Sequence, residues 1–255
     1  MEVEFDYFKD WAMSSLKLDL NSYKERQLHR RIETVRKNSG ANDLKEYTRL
    51  LDKDENLKRL FLDYITINVT EFFRNKEIFD DFENLLKERQ GTFNDMKIWS
   101  AACSIGAEPY SIAMIMERHK MSRGKILATD IDDPILERAR AGVFKEAEMK
   151  NISPADKQTF FMNTGSDYHV KDALKKRVTF KKHDLLLDPY EKNFQAIVCR
   201  NVTIYFKNEA KNEVYEKFRD ALVPGGIFFT GATEAIYNPT SMGFKKISTF
   251  LYEKI

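Results

Sequence analysis

The sequence holds only two cysteines, Cys103 and Cys199, far apart and each in an apolar stretch. A disulfide framework or a zinc cluster is therefore excluded, and both read as reduced thiols of the core. The four histidines, His29, His119, His169 and His183, show no metal-ligand spacing, so no metal is expected. Apolar runs such as 196–199 and 227–229 are short, far below the roughly 20 residues that cross a bilayer. An excess of one charge is missing too, because 42 Lys and Arg stand against 40 Asp and Glu. That balance excludes a polybasic nucleic-acid coat and an acidic tail, so recognition by charge must be local. The first ten residues alternate acids with aromatics and lack a basic region before an apolar one, so no secretory signal and a cytoplasmic location are expected. What is present is 255 residues, 42% of them apolar and 13% aromatic, which suits one large domain or a core domain plus a smaller one.

Residues 1 to about 75 read as helix after helix, with Phe5, Phe8 and Trp11, then Leu28, Ile32 and Val35, then Leu57, Leu60, Phe61, Tyr64 and Ile65 at helical spacing. From 97 onward, short β-prone runs at 96–102, 125–130, 178–184, 195–200 and 226–231 alternate with helical stretches. That alternation predicts a parallel sheet with crossover helices, the first beginning near Pro109 and the last stopping at Pro224-Gly225-Gly226. Residues 250–255 form a further strand that can return antiparallel beside 227–230. The segment 150–182 fits the alternation poorly and reads as a small antiparallel excursion, with Asn163-Thr164-Gly165 as its turn and 178–180 inside it. The division is then a helical domain over 1–75 and an α/β domain over 76–255, interrupted by an inserted β subdomain at about 150–182.

The loop after the first strand, 100–110, is built from small residues that let backbone amides approach a nucleotide-like ligand. It has a single glycine, Gly106, which weighs against a dinucleotide cradle, and it lacks the lysine of a P-loop. Asp130 ends the second strand, where a carboxylate grips a ribose diol. Capping of the next helix suits Asp132 or Asp133 better.

Four segments, 68–75 (NVTEFFRN), 99–111 (WSAACSIGAEPYS), 128–132 (ATDID) and 199–206 (CRNVTIYF), closely resemble the CheR family of chemotaxis receptor methyltransferases, in that family's order along nearly the whole chain. The resemblance implies a class I S-adenosylmethionine methyltransferase fold, with a seven-stranded mostly parallel sheet, an N-terminal all-helical domain and a small inserted antiparallel β subdomain. It implies a cytosolic enzyme that methylates glutamate side chains on the cytoplasmic helices of transmembrane chemoreceptors, acting as a monomer, without nucleic acid and without entering the membrane. S-adenosylmethionine is the implied cofactor and S-adenosylhomocysteine the product. Carried over position by position, the implied cofactor contacts are Asn68, Thr70, Arg74, Glu108, Asp130, Asp184, Leu185, Arg200 and Asn201, and the implied catalytic pair is Arg74 and Tyr205. Ala107 departs from the pattern, since many relatives carry Glu there, and leaves Glu108 as the carboxylate.

The second helix, about 23–37, carries an apolar stripe of Leu28, Ile32 and Val35, while Arg26, Arg30 and Lys37 lie on its other side. Six basic and two acidic side chains fall within 21–40, either as a solvated face or, once the resemblance is admitted, as a docking surface for acidic receptor helices. Two other functions compete. A methyltransferase for amide nitrogen or nucleic acid would carry an N/D-P-P-Y string after the fourth strand, where this chain has 200–205 (RNVTIY). A non-catalytic receptor-binding adaptor would have no need of Arg74, Asp130 and Tyr205. A hydrolase reading fails for want of G-x-S-x-G.

Overall fold

Apolar residues at helical spacing give four α-helices among the described residues before 67: α1 (Glu2–Trp11), which runs on into a π-helical turn at Ala12–Leu16, α2 (Glu25–Asn38), α3 (Leu44–Lys53) and α4 (Glu55–Thr66). This computed structural model describes residues 2–66, 70–93 and 95–255, and the chain divides into two units, 1–68 with 205–213, and 69–204 with 214–255. In the first unit Phe8, Tyr47 and Phe61 are fully buried and stack or meet edge to face, and Trp11 Nε1 donates to Asp52 Oδ1 at 3.1 Å. Asp43 caps α3 by accepting from the Glu46 N–H at 2.7 Å. Leu28 and Ile32 bury the inner face of α2. The returning segment is held by its backbone, Lys24 N donating to Tyr205 O and Lys207 N to Ser22 O, both at 2.8 Å.

The second unit alternates helix and strand. Its elements are α5 (Lys76–Arg89), β1 (Lys97–Ala101), α6 (Ala107–Arg118), β2 (Lys125–Asp130), α7 (Asp133–Ala141), β3 (Val143–Lys145), α8 (Pro154–Phe160), β4 (Phe161–Asn163), β5 (Asp167–Val170), α9 (Asp172–Lys175), β6 (Val178–Lys182), β7 (Phe194–Cys199), α10 (Asn208–Ala221), β8 (Leu222–Thr230), β9 (Phe244–Ser248) and β10 (Leu251–Lys254); the division between the units falls within α10. Seven strands form one sheet in the order β6-β2-β1-β7-β8-β10-β9. Every described pairing is parallel except those of β10, which runs against both neighbours. Ile98, Trp99, Ala196, Ile197, Val198, Ile227 and Phe228 are buried at the centre, as near-continuous apolar strands covered on both faces must be. The class I methyltransferase arrangement implied by the resemblance is thus the one observed.

Three local expectations need correction. Val178–Lys182 lies in the large sheet alone, paired parallel to β2 from Ile126↔Val178 to Asp130↔Lys182; as a half-exposed edge strand it alternates like an antiparallel one. The small sheet instead begins earlier, at Val143, and has the order β3-β5-β4. The Pro224-Gly225-Gly226 stop is an irregularity inside β8, where the register jumps from Phe194↔Leu222 to Ala196↔Ile227 and Gly225 takes φ 72°. The edge strand β9 was not expected at all, because its exposed Lys245 and Lys246 mask it while protecting the edge from further pairing.

Candidate cofactor site

The parallel strands bring the carboxyl ends of β1, β2, β7 and β8 to one rim, and chain order reverses between β1 and β7, where open α/β sheets bind ligands. The loop leaving β1 turns through left-handed residues at Ala102, Ser104 and Gly106, with φ of 64°, 50° and 89°. Only glycine fits comfortably at 106, since a Cβ there would lie 3.1 Å from Ala139 Cβ and 3.3 Å from the Tyr110 ring. The loop is tied to the end of β2: Cys103 N donates to Thr129 O, and Ser104 N to Asp130 Oδ2, both at 2.8 Å. Asp130 Oδ1 accepts from Asp132 N at 3.2 Å, while Asp132 itself caps α7 through Ile135 N at 3.3 Å. Asp130 is therefore not the helix cap. It is buried, and burial pushes its carboxyl up to about 6 against the pull of these N–H donors.

Glu108, in the first turn of α6, is buried beside Arg200 at the end of β7. Ser100 Oγ donates to Glu108 Oε1 at 2.8 Å, and Arg200 Nη1 stands 3.8 Å from Oε2. Burial raises the Glu108 carboxyl and lowers the Arg200 guanidinium, with each partner opposing the shift of the other. The acid that stands beside Arg200 is thus itself one of the expected site residues. The Arg200 guanidinium lies over the Phe79 and Phe229 rings, 5.3 and 4.8 Å from their centroids, and donates through Nη2 to Arg74 O at 2.7 Å and Asn75 Oδ1 at 3.0 Å.

Those bonds fix the segment of Thr70 and Arg74, both half-buried, in which Phe73 and Asn75 adopt φ of 47° and 57°. Two further side chains hold it: Ser111 Oγ accepts from Phe73 N at 3.0 Å while donating to Ala107 O, and Asn151 Nδ2 donates to Phe72 O at 3.0 Å. Ser100, Ser111 and Asn151 were not among the expected site residues. Ser111 sat in a conspicuous motif and was findable, whereas nothing near Asn151 connects it to residue 72. Asn68 lies outside the described residues.

Asp184 and Leu185 follow β6. Asp184 Oδ1 accepts from Leu186 N at 2.7 Å and its backbone N donates to Asp188 Oδ2 at 2.9 Å, a closed turn that sets the buried Leu185 side chain. Asn201 has φ 61°, and its buried Oδ1 makes no hydrogen bond among the described residues. Tyr205 ends the short turn Thr203–Tyr205 and belongs to the first unit, beside Tyr23, Leu28, Arg31 and Ile65. Arg26, Arg30 and Lys37 are all exposed on α2. Cys103 and Cys199 are free and buried, and burial holds both thiols well above their ordinary range.

S-adenosylmethionine presents a ribose diol, an adenine, an ammonium, a carboxylate and a sulfonium. The rim offers carboxylates at Asp130 and Glu108, a guanidinium at Arg200, an apolar side chain at Leu185, and two buried polar atoms, Ser104 Oγ and Asn201 Oδ1, that are unbonded among the described residues; this donor set fits the group. Residues 68–251 match the family model described as CheR methyltransferase, SAM binding domain, and residues 3–66 match the one described as CheR methyltransferase, all-alpha domain. The chain is similar to the chemotaxis protein methyltransferase of Listeria monocytogenes, at 40% identity over 260 residues covering 100% of this chain and 98% of the relative. Likeness to the Escherichia coli K12 chemotaxis protein methyltransferase is 34% over 227 residues, covering 84% and 78% respectively. With the sheet order, the rim and both matches in agreement, this chain belongs to the CheR methyltransferase family and is an S-adenosylmethionine-dependent methyltransferase of chemotaxis.

Proposed function

We propose that the acceptors are glutamate side chains on the cytoplasmic helical domains of transmembrane chemoreceptors, converted to methyl esters at the cytoplasmic face of the membrane. The observation that carries this reading is the pairing of both family models, in order along the chain, with relatives named chemotaxis protein methyltransferase. The exposed basic side chains of α2 add a surface of the right sign for acidic receptor helices.

S-adenosylmethionine supplies an activated methyl group on its sulfonium. A glutamate carboxylate has a pKa of about 4.3 and reacts at neutral pH without a general base, so the chain's task is alignment and partial exclusion of water. Asp130 takes the ribose hydroxyls and Glu108 the ammonium or its polar neighbours. Arg200, Asn201, Thr70 and Asn68 complete the polar contacts, and Asp184 and Leu185 take the adenine edge and face. Arg74 holds the acceptor carboxylate bidentately, and the family resemblance gives the Tyr205 hydroxyl a role toward that carboxylate or the sulfonium. Because the ester is neutral, an arginine clamp favours acceptor over product and assists release. Incubation with labelled methyl donor and receptor-containing membranes should label the receptor, and alkali should release the label as methanol. Base-stable label would overturn the ester reading.

A further inference from the structure

The turn that follows β7 is folded around a single carboxylate. Glu234 lies just beyond β8 and is 2% exposed. Its Oε2 accepts from the backbone N–H groups of Asn201 and Gly231 at 2.5 and 2.9 Å, and its Oε1 from those of Val202 and Ile204 at 3.0 and 3.3 Å and from Thr203 Oγ1 at 2.8 Å. The Tyr215 hydroxyl backs the same corner, 2.9 Å from Thr203 Oγ1 and 3.3 Å from the Glu234 carbonyl oxygen. Five donors converge on one acceptor-only group, a demand that an amide or hydroxyl cannot meet. Gly231 is part of the same fit: a Cβ there would collide with Glu234 Oε2 and lie 2.8 Å from the Asn201 nitrogen. The turn so fixed holds Asn201 at φ 61° directly after Arg200, with Asn201 Oδ1 buried and unbonded among the described residues.

We propose that Glu234 is a positioning residue for the methyl-donor site: its carboxylate organises residues 201–204, and through them sets the Asn201 side chain for the cofactor. The inference rests on the reading that Asn201 contacts S-adenosylmethionine. Glu234 need not touch the cofactor. Its effect travels through the backbone N–H groups of Asn201, Val202 and Ile204, whose shared acceptor holds the turn in one conformation, and losing that acceptor would free the turn to refold.

Glu234→Gln is the direct test, since whichever way the amide is turned its NH2 faces backbone donors. In the cofactor-free protein, hydrogen exchange at the amides of residues 201, 202, 204 and 231 should accelerate at least about tenfold, while β1 and β7 amides keep their protection. Calorimetry should find affinity for S-adenosylmethionine lowered about tenfold or more. Asn201→Gly, which accepts the left-handed backbone and deletes only the side chain, should lower affinity by itself, and adding Glu234→Gln to it should cost less than about threefold more. Full additivity would overturn the proposal, as would normal affinity with normal exchange in Glu234→Gln. Normal affinity in Asn201→Gly would overturn both the proposal and the contact it rests on, whereas a loss in Asn201→Gly alone would overturn the role of Glu234 and leave the contact standing. If Glu234→Gln does not fold, Thr203→Val removes one of the five donors at constant shape and should give the same pattern with about a threefold loss of affinity; unchanged affinity there would overturn the proposal.

Discussion

Burial lifts the Asp130 carboxyl to about 6, so between its unfolded value of 3.8 and that point the folded chain holds a proton that the unfolded chain has lost. This group's contribution to stability is therefore most favourable below pH 4 and falls as pH rises to about 6, after which the penalty is constant. Asp130→Asn removes that penalty together with one of the two backbone bonds, and the melting temperature at pH 7 without cofactor should barely move. Cofactor affinity should fall by about 1 to 3 kcal/mol if the proposed charge-assisted bond to the ribose is lost. Since ribose hydroxyls donate to the ionised form, wild-type affinity should weaken as pH drops through about 6. Calorimetry near pH 5.5 in buffers of different ionisation enthalpy should detect proton release that the Asn variant lacks; equal release from both would make Asp130 structural only. Arg74→Ala should abolish most methyl transfer in a folded protein, and Tyr205→Phe should lower kcat more than it raises KM for the proposed receptor substrate. With cofactor saturating, kcat should be flat between about pH 6 and 8, and a histidine-like limb there would contradict a base-free reaction. Asp130 and Arg200 were legible in the sequence because the ends of β-prone runs mark the rim. Ser111 and Asn151 serve partners 38 and 79 positions away, and Glu234 serves a turn 30 or more away; such bonds leave no local pattern.

At the scale of the element, α2 carries the most testable surface. Leu28 and Ile32 face inward while Arg26, Arg30 and Lys37 face water, so changing all three to Glu should cost less than about 1 kcal/mol of stability. Exposed charge pairs contribute only about 0.2 to 1 kcal/mol each, so no single reversal should matter much. The triple variant should raise the apparent KM for the proposed receptor substrate severalfold at unchanged cofactor affinity, and the wild-type reaction should slow as salt rises. Normal methylation by the triple variant at low salt would reduce the stripe to a solvated face. Long periodic helices and buried parallel strands were readable because burial makes their apolar pattern regular, one stripe on the helices and a continuous run on strands covered on both faces. Edge strands were not: β6 and β9 bury one side at most, and their alternating or lysine-bearing patterns resemble antiparallel or loop segments.

The order of the whole chain, helices first and an α/β sheet after, was plain from the change of periodicity near residue 97. Nothing in the linear pattern reveals that 205–213 returns to the first unit, because that return rests on backbone pairing with residues 22–24. The parallel strands also give the second unit a direction. Lys97 and Lys125 begin β1 and β2 at one end, Trp99, Ile126, Val198 and Phe228 fill the middle, and Asp130 and Arg200 stand at the other end. A saturation library scored separately for abundance and for methyl transfer should sort along that axis: changes at Lys125 moving neither score, changes mid-strand lowering both, and Asp130→Asn at the rim lowering transfer while abundance holds, whereas changes at Arg200, which also anchors residues 74 and 75, should lower both. The freedom to evolve is thereby laid out in space. Variation at exposed positions such as Arg26, Arg30 and Lys37 can explore new docking partners while the strand centres continue to specify the fold, so descendants of such a chain can diverge in specificity without first passing through unfolded ancestors.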